Sequence, residues 1–78
     1  MSGFEPCMES VEFMIEEFKK SELSLAEEID DVKGTIDNER IWQNGSSSQE
    51  EIDMHEQNIA DYEAYLEWLE SELKGVAE

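Results

Sequence analysis

From Ile52 onward, Ile52, His55, Ile59, Tyr62, Leu66, Leu69, Leu73 and Val76 recur at alternating steps of three and four. That spacing gathers one stripe of a helix against a partner helix, and it dominates the stretch from Gln49 to Lys74. Between the stripe positions stand mostly acids and amides, among them Glu50, Glu51, Asp53, Glu56, Gln57 and Asn58, and no proline or glycine intervenes before Gly75. At about 1.5 Å per residue the segment is a rod of about 39 Å. A single helix of this kind gains too little on its own, because most helical stability in proteins comes from burying the apolar edge. The rest of the chain, or a second copy, must cover it.

A chain of 78 residues buries too little apolar surface for an elaborate core, so a simple helical bundle or an oligomer is expected. Its 22 Asp and Glu against 5 Lys and Arg give a net charge of −17, a balance suited to disorder were the heptad stripe absent. Such charge attracts basic surfaces and disfavours direct contact with nucleic acid or anionic membranes. Cys7 is the sole cysteine, which excludes an intrachain disulfide and fits a reducing compartment. The longest apolar run is Phe13-Met14-Ile15, so neither a signal peptide nor a transmembrane span is expected, and the expected location is the cytosol.

Met1 to Phe4 reads as a loose start. A first helix is expected from Pro6 to Lys20, with proline in the first turn, Met8, Val11, Met14 or Ile15, and Phe18 at helical spacing, Cys7 on the same face, Phe13 off it, and Lys19 and Lys20 in the last turn. Two readings of the next segment are open. Ser24-Leu25-Ala26-Glu27-Glu28-Ile29-Asp30 and Ser47-Ser48-Gln49-Glu50-Glu51-Ile52-Asp53 share S-x-x-E-E-I-D, a capping-box pattern that favours a break near Ser21 to Ser24. Against it, Val11, Ile15, Phe18, Leu25, Ile29, Val32 and Ile36 keep one heptad phase through the gap, with Glu22 the one discordant position.

A second helix over 25–43 points Leu25, Ile29, Val32 and Ile36 inward and carries Gly34 as a tolerated surface glycine. Asn44-Gly45 should end it through a positive φ, and Ser46 to Ser48 form a short turn before a third helix over 49–74. Short connections favour antiparallel neighbours, which sets Ile36 near His55, Ile29 near Tyr62 and Leu25 near Leu66. The expected fold is all-α: a coiled-coil-like antiparallel hairpin with an N-terminal helix, as a three-helix bundle or a dimeric helical bundle, in one domain spanning 1–78. The uncovered faces around Met8 to Phe18, Tyr65 and Trp68 make a homodimer the simplest assembly.

Little in the chain points to catalysis. His55 on the stripe, one turn after Glu51, reads as a histidine bonded to a carboxylate; a metal site needs more convergent ligands than one histidine supplies. Asp30 to Ile41 departs from a calcium loop, with Val32 at the third position and Thr35 where glycine belongs. Phosphate-loop and dinucleotide glycine patterns are missing, so neither enzyme activity nor a cofactor is expected. Cys7 reads as an apolar contact rather than a reactive thiol.

Trp42, Tyr65 and Trp68 lie off the stripe, where aromatic residues either cover the first helix or anchor an interface. The expected contact surface joins them to Glu63, Glu67 and Glu70, carboxylates that a rigid rod could present as a phosphate row presents its charges. In size, acidity and helical simplicity the chain resembles small phage-encoded inhibitors, nucleic-acid mimics among them, a likeness of composition that carries no motif. It implies an acidic inhibitor or adaptor acting on a basic, nucleic-acid-binding protein. The alternatives are a self-assembling coiled-coil module and a small-ligand binder between protomers.

Overall fold

A computed structural model describes residues 5–77 as three helices, α1 (Met8–Lys20), α2 (Leu25–Gly45) and α3 (Gln49–Ala77), with no strand among them. The loose start expected at Met1 to Phe4 lies outside those residues.

The break between α1 and α2 is present, and serine chemistry makes it without glycine or proline. At the end of α1 the Ser21 N–H and Oγ both donate to the Phe18 carbonyl, at 3.0 and 2.8 Å. Three residues on, Ser24 Oγ accepts the Glu27 N–H at 3.2 Å and donates to the Glu27 carboxylate at 3.1 Å. Serine thus offers the backbone an alternative to continuing the helix and then caps the next one. The expected capping box forms here, except that Glu27 engages the serine hydroxyl.

Other boundaries shift. Cys7 is the N-cap of α1, so Pro6 stands just outside the helix rather than in its first turn. No described residue has a positive φ; α2 runs through Gly45 and ends at an extended Ser46, whose Oγ donates to the Trp42 carbonyl at 2.8 Å. The second S-x-x-E-E-I-D copy starts its helix one residue later than the first, with the Ser48 carbonyl accepting the Ile52 N–H at 3.1 Å. A β-carbon at Gly34 would meet only open space, which agrees with a surface glycine.

The α2–α3 hairpin is the larger packing unit, and α1 lies against α3. Val11, Ile29, Val32, Ile36, Ile59, Tyr65 and Leu69 form the buried core, with Met14, Ile15, Phe18, Leu25, Tyr62, Leu66 and Trp68 packed around it. His55 faces Glu39 rather than Ile36, and Tyr65 of α3 donates to Glu28 of α2. Carrying α2 through Gly45 moves the fold point along the chain, and the partner of His55 moves about one turn with it.

Contacts at both ends of α1 fix its direction. Its start meets Asp61 and its Phe18 ring meets Trp68 edge-on, with centroids 6.2 Å apart at 77°, so α1 runs parallel to α3. The result is an up-down-up bundle measuring 44 × 23 × 21 Å. Of the expected core, Ile52 is half-buried, while Met8 and Leu73 are exposed in the single chain, as is Val76. α3 is longer than the helices that cover it, so the last stripe positions overhang.

Candidate partner-binding surface

α3 carries two stripes. The heptad stripe runs along the hairpin, while Asp61, Ala64, Tyr65 and Trp68 form a second stripe at helical spacing, from which Asp61 and Trp68 meet α1 and Tyr65 reaches Glu28 on α2. This second stripe corrects the expectation for Tyr65. It is only 2% exposed, stacked near-parallel to Trp68 at 6.4 Å, and its hydroxyl donates to Glu28 Oε2 at 2.6 Å. A surface contact by Tyr65 is therefore closed in this fold, and Trp68 is half-buried against Phe18. Trp42 is 58% exposed near the hairpin tip, its ring 6.1 Å from that of His55.

Burial and the bond to Glu28 together push the Tyr65 phenol well above its ordinary value, burial being the larger cause and the Glu28 charge adding to it. The folded state therefore holds this proton more tightly than the unfolded chain does. The associated stability is fully present below about pH 10, the ordinary tyrosine value, and is lost as pH rises beyond it. The denaturation midpoint of the native protein should fall above that pH more steeply than that of Tyr65→Phe. Parallel curves in alkali would show that Tyr65 is not a linked group.

Several polar residues act as staples inside the bundle. Asp61, buried on α3, accepts the Cys7 N–H at 2.6 Å and Gln57 Nε2 at 3.0 Å, and Gln57 Nε2 also donates to the Glu5 carbonyl at 2.9 Å. A carboxylate from another helix thus sits where the α1 dipole is positive and its donors lack partners, since Cys7 supplies no side-chain cap. His55 Nδ1 lies 2.6 Å from Glu39 Oε2, which Asn58 Nδ2 approaches at 3.5 Å. The carboxylate partner of His55 comes from across the hairpin and is not Glu51.

Both staples left a sequence signal. Glu39 and Gln43 continue the spacing of Leu25, Ile29, Val32 and Ile36, so α2 ends its apolar stripe in polar groups facing those of α3. Gln43 Nε2 accordingly donates to the Ile52 carbonyl at 3.3 Å. Asp61 opens the second stripe. No buried side-chain polar atom among the described residues lacks a partner, and no group of three or more acids, histidines or cysteines there is arranged to hold a metal. No described helix is long and apolar enough to cross a membrane.

Outside these staples most carboxylates face solvent. Glu63, Glu67 and Glu70 lie along one exposed row of α3, with Arg40 reaching Glu63 at 3.4 Å; Lys19 meets Glu16 at 4.0 Å. Such exposed pairs contribute little and leave the surface strongly negative. A net charge of −17 over 44 Å is one charge per about 2.6 Å, against about 1.7 Å for duplex DNA. No protein-family model, no curated protein and no solved structure matches the chain.

Proposed function

We propose that this is a non-enzymatic, cytosolic protein that binds a basic partner protein through its acidic helical surface, as an inhibitor or adaptor. The observation that supports this most is the linear charge density, which approaches that of a nucleic-acid duplex on a scaffold held rigid by its core. In the nucleic-acid-mimic form of this reading, Glu63, Glu67 and Glu70 occupy lysine or arginine sites in the partner's groove while Trp42 anchors the hairpin tip. Preorganised charges of this kind raise the association rate and select oppositely charged partners.

Capture from lysate on the immobilised protein tests the reading. The retained partner should elute as salt rises and be displaced by duplex DNA, since screening weakens exposed charge contacts. Replacing Glu63, Glu67 and Glu70 together by lysine should abolish capture and leave the helical circular dichroism unchanged. Capture indifferent to salt, DNA and these substitutions would defeat the proposal. A homodimer is the second reading, favoured by the exposed apolar residues Met8, Leu73 and Val76. A monomeric mass in sedimentation at micromolar concentration would count against it.

A further inference from the structure

α1 scarcely meets α2, so the two helices do not close over α3 and an open trough remains between them. It has two lobes that share Phe13, Met14 and Tyr62: a larger one of about 430 Å³ lined by α1 and α3, and a smaller one of about 250 Å³ that α2 also lines. The smaller lobe reaches the core residues Val32 and Tyr65, and its wall is mainly apolar. Phe13 stands at the junction 65% exposed, on the side of α1 away from its own apolar face. Carboxylates from α1 and α2, Glu9, Glu17 and Asp31 among them, border the lobes, and neither lysine nor arginine lines either one.

We propose that this trough receives an amphipathic helix of the basic partner protein, its apolar side chains filling the two lobes and its flanking lysines or arginines meeting the border carboxylates. The proposal rests on the basic-partner reading above and assigns it a docking site. Apolar anchors one and two turns apart on a helix are the side chains that adjoining pockets of this kind accept. The charge of the border decides among occupants. A second copy of this chain would set Glu9, Glu17 and Asp31 against like charges, and nucleic acid or anionic lipid would meet the same repulsion.

Phe13→Asp separates groove docking from plain charge attraction by the sign of its effect. It adds a negative charge, which strengthens any purely electrostatic contact with a cation, yet it places that charge where an apolar anchor must sit. Phe13 is exposed, so the fold should persist by circular dichroism. The probes are a fluorescent leucine/lysine peptide with leucines at i, i+3, i+4 and i+7, a scrambled isomer without that period, and oligolysine of equal charge.

The amphipathic peptide should bind about tenfold more tightly than either control, and Phe13→Asp should weaken it about tenfold. Amide shifts on binding should concentrate at Phe13, Met14 and Tyr62. If all three peptides bind alike and Phe13→Asp binds them as well or better, the trough is not the site and the acidic-surface reading survives. Selective binding that is insensitive to Phe13→Asp, with shifts elsewhere, also overturns the trough. Should no cationic peptide bind, both readings fall.

Discussion

Leu69→Ala is expected to lower the melting temperature by roughly 15–20 °C, a loss of about 3 kcal/mol. Leu69 has no exposed surface and belongs to the core cluster that both helix pairs share. Truncation there removes the transfer free energy of the side chain and leaves a cavity between helices that cannot all collapse toward it. A domain of this size has a total stability of only about 4–12 kcal/mol, so the fraction unfolded rises steeply. Leu73→Ala, one turn along the same stripe, is the control. Leu73 is 38% exposed on the overhang of α3, and its truncation should cost less than about 1 kcal/mol. Equal losses at the two positions, read by thermal or urea denaturation, would mean that the overhang is covered in solution, as a dimer would cover it.

His55→Ala should cost about 2–4 kcal/mol, mainly through what it leaves behind. Glu39 is buried, its Oε2 lies 2.6 Å from His55 Nδ1, and Asn58 offers only a long contact of 3.5 Å. Removing the imidazole strands a carboxylate between two helices, where desolvation is no longer offset by a strong partner. Replacing both residues, as Glu39→Leu with His55→Leu, should recover most of the loss, because no stranded group remains. A double variant as unstable as His55→Ala would show that the cost lies in the packing of the imidazole, including its contact with Trp42. The pair also selects a register, since slipping the hairpin by one turn would set each of these polar groups against an apolar stripe.

Under the proposed function, binding and folding draw on different parts of the acidic composition. Glu28, Glu39 and Asp61 are committed to holding the bundle together, through Tyr65, His55 and the start of α1 respectively. The row of Glu63, Glu67 and Glu70 and the trough carboxylates Glu9, Glu17 and Asp31 carry no comparable internal duty, apart from the Arg40 contact at Glu63. Substitutions in the first group should act through stability and those in the second through binding.

Local rules sufficed for the all-α class, the three helices and the tight hairpin. Periodicity near 3.6 residues and serine caps are short-range properties: Ser21 closes α1 on Phe18 and Ser24 opens α2 with Glu27, each through atoms only three residues apart. The apolar stripe of α2 and most of that of α3 were legible for the same reason. The sequence could not by itself decide which face of α3 receives α1, since Tyr65 and Trp68 suit an interface between chains as well as one within the chain. That choice depends on contacts across more than fifty positions, such as Cys7 with Asp61, which follow from the three-dimensional path of the chain. Tertiary packing turned Tyr65 from a candidate surface anchor into core, put Glu39 opposite His55, and left α1 and α2 apart. The trough between them is a property of that arrangement: its walls come from three helices, and no one helix encodes it.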